Sequence, residues 1–86
     1  MKPAHPMRSV IAKRLGAAIR MSRDDAGISG AVLSERLDIN RDTLLEWERG
    51  RACPPVYRLV QIAQALRVPL DHLTCSLDDP LSRTED

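Results

Sequence analysis

The chain has 86 residues, and its 13 Lys and Arg against 12 Asp and Glu give a formal net charge of +1. This length allows one small domain with a modest core and excludes two. Balanced charge does not by itself indicate a nucleic-acid partner. The sequence has no phosphate-cradling glycine loop, paired carboxylates or Ser/His/Asp set, so we predict a binding domain and not an enzyme.

Charge is distributed unevenly along the chain. Residues 1–23 hold six basic side chains and no acid, whereas residues 69–86 hold five acids and one base. The first end is therefore a candidate anion-facing surface. Lys13 and Arg14 interrupt the early apolar stretch, so it predicts neither a signal peptide nor a membrane span.

Cysteine usage indicates a reduced, cytoplasmic protein. Cys53 and Cys75 lie 22 positions apart without a CxxC spacing, unlike the cysteines of a disulfide-stapled secreted domain. His72 lies one helical turn before Cys75, but two or three scattered ligands do not make a metal site. We predict no metal and no other cofactor.

The first predicted helix covers residues 9–26 and ends at Gly27. Its apolar positions recur every four residues, the period of one helix face: Ile11, Leu15 and Ile19. The prolines before it predict a flexible N-terminal arm over residues 1–8.

A second, shorter helix and a tight turn follow. Ser29 is a candidate N-cap for a helix that runs to Leu37. Asp38 can adopt a left-handed conformation, Ile39 is apolar, and Asn40 can cap the next helix. So short a connection fixes a steep crossing of the two helices, which is the geometry of a helix-turn-helix.

Three more segments complete the pattern. Helix three is predicted over residues 41–49 and stops at Gly50. The prolines at 54–55 open a fourth helix, and a fifth is predicted over residues 69–77. Residues 78–86 form a predicted acidic, disordered tail.

The segments IRMSRDDAGIS, LSERLDINRDTLLEWERGR and IAQALRVPLDHL resemble the lambda-repressor-like, Cro-type helix-turn-helix domain, also called the XRE family. They arrive in the family's order and spacing. The resemblance implies an all-α, compact five-helix domain over residues 9–77. It also implies a regulator that binds double-stranded DNA through helix three in the major groove.

Helix three carries the candidate base-reading residues on its first two turns: Arg41, Asp42, Leu45 and Glu46. Arginine can pair bidentately with guanine, and a carboxylate can accept from the amino group of cytosine. The family's base-reading positions fall on Arg41, Asp42 and Glu46. The alternative is that these charges merely solvate a surface helix.

Candidate phosphate contacts lie at the start of helix two and around helix three: Ser29, Gly30, Asn40, Thr43, Arg49 and Arg51. The family usually has glutamine at position 30 and glycine at position 38, where this chain has Gly30 and Asp38. Residues 29–50 hold five acids against three bases. This excess of negative charge weakens the attraction of this unit for phosphate.

Glu48 faces the core beside Trp47, and a carboxylate placed there requires a partner. Arg23, at the end of helix one, is the candidate. Members of the family pair an arginine and a glutamate at these two positions. We therefore predict a structural ion pair of Arg23 and Glu48.

The resemblance also implies a homodimer on a palindromic operator, because one short helix reads too few base pairs. The apolar residues available for the dimer contact are Val68, Leu70, Leu73 and Leu77. Their alternative role is core packing of helix five.

The leading hypothesis is a sequence-specific transcriptional repressor. The alternative is an antitoxin or adaptor that uses the same fold to bind a protein partner, which the acidic helices two and three favour. A controller of a restriction-modification system or mobile element is a third possibility that depends on gene neighbourhood.

Overall fold

The computed structural model describes residues 6–74, which form five helices and no strand. The first four are α1 (Pro6–Asp25), α2 (Gly30–Leu37), α3 (Arg41–Glu48) and α4 (Val56–Leu66). The fifth, α5, begins at residue 70 and is described as far as residue 74. The predicted all-α, five-helix architecture is confirmed. Leu77 and the predicted tail over residues 78–86 lie outside the described residues.

Helix α1 begins three residues earlier than predicted. Pro6 occupies its first position, where proline's fixed φ suits the helix and its missing N–H has no intrahelical acceptor to lose. Residues 6–8 therefore belong to α1 and not to the predicted arm. Gly27, with φ +70°, follows the helix in a left-handed conformation, as expected for a residue that ends it.

Local capping sets the start of α2 and builds its connection to α3 as predicted. The Ser29 hydroxyl accepts from Val32 N at 3.1 Å, and Asn40 Oδ1 accepts from Asp42 N at 2.8 Å. Asp38 is left-handed, with φ 58° and ψ 47°. The caps at Asp38 and Asn40 limit the connection to three residues, with Ile39 packed against the core between them. A turn of three residues between two helices is typical of the helix-turn-helix motif.

The core lies between the inner faces of all five helices. Its fully buried side chains come one from each helix: Ile19, Leu33, Leu44, Ile62 and Leu73. Helix α2 packs against both α3 and α4, and α1 packs against α3. The α2–α3 pair is therefore supported from behind by the rest of the domain.

Arg58 connects α4 to the end of α2. Its Nη1 donates to the carbonyl oxygen of Leu37 at 2.7 Å and to Gln61 Oε1 at 3.0 Å. A cation beside the C-terminal carbonyls of a helix is favoured by the helix dipole. Sequence analysis did not find this contact, because its two residues are distant in the chain.

Two helices end on a left-handed residue that is not glycine, namely Asp38 and Arg67, which has φ 61°. A side chain in this conformation costs about 1–2 kcal/mol, partly offset by the greater freedom of glycine in the unfolded chain. We expect Arg67→Gly to raise the free energy of unfolding by about 1 kcal/mol in urea titrations. Gln64→Gly, at an exposed position within α4, should lower it by a similar amount. A loss of stability in both variants would contradict a left-handed conformation at Arg67.

Candidate nucleic-acid interface

Helix α3 divides into an inner and an outer face. Leu44 and Trp47 lie in the core, with 1% and 6% of their surface exposed. The four predicted base-reading residues lie on the opposite side of the helix: Arg41, Asp42, Leu45 and Glu46. The first two are exposed and the last two are half-buried. The structure thus places the four side chains together on one outward surface.

The start of α2 lies beside the first of these residues. A Cβ added to Gly30 would come within 3.3 Å of Arg41 Nε, so the guanidinium group covers the first residue of α2. Ser29 caps this helix by accepting from Val32 N, which leaves its hydroxyl hydrogen to donate. The first amides of a helix have no intrahelical acceptor. The predicted phosphate contacts at Ser29 and Gly30 therefore adjoin the outer face of α3.

The other predicted phosphate contacts surround α3. Asn40 caps the helix, and Thr43 is half-buried in its first turn. Arg49 is the C-cap of α3 and is exposed. Arg51 follows it and lies 3.6 Å from Glu46, measured from Nη1 to Oε2. Two predicted DNA contacts therefore meet each other in the free protein.

Ion pairs reduce the acidity of the α2–α3 unit. Two of its five acids are paired with bases outside residues 29–50, Glu48 with Arg23 and Glu46 with Arg51. Counting these two arginines brings the bases to five, so the unit and its partners are neutral in sum. The Glu46–Arg51 side chains are 44% and 64% exposed, and an exposed pair of this kind opens at little cost.

Arg23 and Glu48 form a bidentate pair at the junction of α1 and α3. Arg23 Nε donates to Glu48 Oε2 at 2.7 Å, and its Nη2 donates to Oε1 at 3.0 Å. Only 13% and 5% of the two side chains is exposed. The hydrogen bonds that Arg23 donates to the Glu48 carboxylate raise the pKa of Arg23, so the guanidinium stays charged. A third bond, from Nη1 to the carbonyl oxygen of Ile28 at 3.0 Å, holds the loop before α2.

Gly16 is a positioning residue that sequence analysis missed. A Cβ at this site would lie 2.2 Å from the carbonyl oxygen of Trp47 and 2.6 Å from that of Glu48. The backbones of α1 and α3 therefore touch, which only glycine permits. Gly50, with φ +77°, packs in the same way against Lys13, whose Cα would lie 2.8 Å from an added Cβ. A lone glycine inside a helical pattern was the available signal.

The predicted dimer contacts require a correction. Leu73 is completely buried in the core of the domain, so its selection as a dimer contact was wrong and its alternative role, core packing, is the observed one. Val68 is half-buried against the same core. Leu70, 39% exposed, remains available on the surface. The spacing of apolar residues in α5 could not tell which of them pack in the core and which lie on the surface.

The described part of the chain has no helix long and apolar enough to cross a membrane. Within residues 6–74, no three His, Cys, Asp or Glu side chains are placed to hold a metal ion. Cys53 is exposed and free, and Cys75 lies outside the described residues.

Comparison with known proteins agrees with this geometry. The family model HTH_3, described as helix-turn-helix, matches residues 19–73. The chain belongs to the HTH_3, or XRE, family. This confirms the resemblance found in the sequence. None of the curated proteins compared by sequence matches this XRE-family chain.

Solved structures share the fold of this XRE-family protein. The clp gene regulator ClgR from Corynebacterium glutamicum has a TM-score of 0.73 and 27% identity, over 90% of this chain and 92% of that one. The restriction-modification controller protein C.AhdI from Aeromonas hydrophila has a TM-score of 0.69 and 22% identity, over 72% and 94%. A hypothetical transcription factor, NHTF from Neisseria, has a TM-score of 0.71 and 24% identity, over 99% and 95%. As an XRE-family member, the chain is a DNA-binding transcription regulator and not an enzyme.

Proposed function

We propose that this regulator is a repressor that binds a palindromic operator as a homodimer, with α3 in the major groove. The observation that carries the proposal is the outer face of α3, which presents four candidate base-reading side chains beside the N-terminus of α2, where the first amides have no intrahelical acceptor. A recognition helix requires this pairing, because base contacts give specificity while nearby phosphate contacts fix its position.

Each side chain on this face has a base-reading chemistry. Arg41 is exposed and makes no hydrogen bond or ion pair within residues 6–74, so its donors are available to O6 and N7 of guanine. Asp42 and Glu46 can accept from the amino group of cytosine, and Leu45 can contact the methyl group of thymine. Glu46 first has to leave Arg51, which the exposure of that pair permits.

Phosphate contacts would come from two sides of this face. The amide of Gly30 and the hydroxyl of Ser29 lie at the positive end of the α2 dipole. Asn40 and Thr43 lie at the start of α3, and the basic side chains of Arg49 and Arg51 lie at its end. Release of Arg51 from Glu46 on binding would free both groups for DNA. We expect affinity to fall steeply with salt concentration, because each neutralised phosphate releases counterions.

Dimerisation supports the palindromic operator. One short recognition helix reads too few base pairs for useful specificity, and two related by a twofold axis read successive major grooves. Leu70 is the exposed apolar residue that we assign to this contact, and half-buried Val68 precedes it by two positions. Repression follows if the bound dimer occupies DNA that polymerase requires.

Protein binding by an antitoxin or adaptor is the weaker reading. It was favoured by the acid excess in residues 29–50. The pairs Glu48–Arg23 and Glu46–Arg51 remove that excess, so the observation no longer separates the two functions. The ion pairs of Glu46 and Glu48 and the exposed side chains of Arg41 and Asp42 support DNA binding better than protein binding.

The proposal is tested by selecting random double-stranded DNA with purified protein and sequencing what is bound. An enriched inverted repeat, with half-sites about one helical turn apart, is the expected result. Analytical ultracentrifugation with the enriched DNA should give two chains per duplex. A folded protein that enriches no sequence would refute sequence-specific binding. In a promoter assay, the enriched site should lower transcription when the protein is present.

Arg41→Ala should lose discrimination at one base position. We expect specific binding to weaken by about 1–3 kcal/mol, because a bidentate arginine–guanine contact contributes that much. The measurement is titration of operator and single-base variants at fixed salt. Arg36→Ala is the control, since it removes the same charge from an exposed position on α2 and should keep base preference. Unchanged discrimination in Arg41→Ala would remove this residue from base reading.

A further inference from the structure

Gly30 is buried although it opens α2 between two exposed residues, Ser29 and Ala31. The guanidinium group of Arg41 lies over it. The three atoms nearest to an added Cβ all belong to that guanidinium group, with Nε at 3.3 Å, Nη2 at 3.6 Å and Cζ at 3.8 Å. The guanidinium thus occupies the space that a side chain at position 30 would fill.

No polar interaction within the described residues holds the guanidinium group of Arg41 in place. Within residues 6–74 its guanidinium group makes no hydrogen bond and no ion pair. The positive end of the α2 dipole does not attract a cation either. The guanidinium therefore lies in space beside Gly30 that is open only because residue 30 has no side chain.

We propose that Gly30 is a positioning residue for Arg41 and thereby determines specificity at the base that Arg41 reads. This inference rests on the proposed function. A long arginine side chain loses rotamer freedom when it binds, and a group already held near its bound position loses less. A side chain at position 30 would displace the guanidinium and change base preference without touching a base. Gly30 then has a role beyond donating its amide to a phosphate.

The DNA test compares Gly30→Gln with Ala31→Gln, which adds the same side chain one residue later at an exposed position. We expect Gly30→Gln to lower discrimination about tenfold at the base position that Arg41→Ala also affects. Ala31→Gln should keep the wild-type preference. In the Arg41→Ala background, Gly30→Gln should change no base position further. A uniform change of affinity across all sequences, or an effect additive with Arg41→Ala, would overturn the inference.

A second measurement needs no DNA. The ¹⁵N relaxation of arginine Nε–H groups in the free protein reports how ordered each side chain is. We expect Arg41 Nε to be more ordered than that of exposed Arg36, and to lose this order in Gly30→Gln but not in Ala31→Gln. Circular dichroism checks that each variant is folded. Equal mobility of Arg41 in wild type and Gly30→Gln would overturn the positioning role.

The two measurements separate this inference from the proposed function. If the wild-type protein enriches no sequence, the proposed function fails and the specificity role of Gly30 fails with it. Loss of Arg41 order in Gly30→Gln would still support the positioning role. If the wild type enriches an operator and Gly30→Gln prefers the same bases, only the inference about Gly30 fails.

Discussion

Gly16→Ala is expected to destabilise the domain by about 3 kcal/mol or more. The added Cβ would lie 2.2 Å from the carbonyl oxygen of Trp47, and a backbone atom cannot move aside as the end of a side chain can. Helices α1 and α3 would have to separate, which would open the core around Ile19 and Leu44. Urea unfolding followed by circular dichroism measures the change.

The matched control is Ala17→Gly, at the next position of α1, which is exposed. Helix propensity alone makes alanine better than glycine there by about 1 kcal/mol, so this variant should lose that amount. The same preference would make Gly16→Ala stabilising if the site were open. A gain of stability in Gly16→Ala would therefore show that the close approach of α1 and α3 does not exist in solution.

Arg23→Ala should cost about 3–5 kcal/mol, because it leaves the carboxylate of Glu48 buried and unpaired. Only 5% of that side chain is exposed. The variant also loses the bond to the carbonyl oxygen of Ile28. A fall in melting temperature by well over 10 °C is the expected result, since about 1 kcal/mol shifts a domain of this size by roughly 4–8 °C.

Two further variants test whether the unpaired carboxylate of Glu48 causes the loss of stability in Arg23→Ala. Arg20→Ala removes an arginine from the same helix whose ion pair with Asp24 is long, at 3.9 Å, and 67% and 60% exposed. It should change stability by less than about 1 kcal/mol. Adding Glu48→Gln to Arg23→Ala should recover part of the loss, because a neutral amide is less costly to bury than a charge. A melting temperature unchanged by Arg23→Ala would refute the role of the pair.

Features set by neighbours in the chain could be predicted from the sequence. The caps at Ser29 and Asn40, the left-handed Asp38 and the end of α3 before Gly50 each depend on a few consecutive residues. So does the outward placement of Arg41 and its neighbours on α3, which follows from the helix period once the core residues are known. These predictions needed no knowledge of distant contacts.

Features that depend on distant contacts could not be predicted in the same way. The space at Gly16 is defined by the end of α3, and the cover over Gly30 comes from Arg41. The pairing of Glu46 with Arg51 depends on how the chain leaves α3. Leu73 was misassigned because its apolar spacing on α5 gives no indication of which side packs inward. The predicted partners Arg23 and Glu48 were found only through the family resemblance and the cost of a buried charge.

The contact of α3 with α1 at Gly16 is made by main-chain atoms, which every amino acid supplies. The position of α3 against α1 therefore does not depend on which side chains its outer face presents. Substitutions at Arg41, Asp42, Leu45 and Glu46 can accumulate without moving the helix that presents them. A scaffold of this kind allows the surface that α3 presents to evolve, or to be engineered, by changing a few residues while the domain keeps its fold.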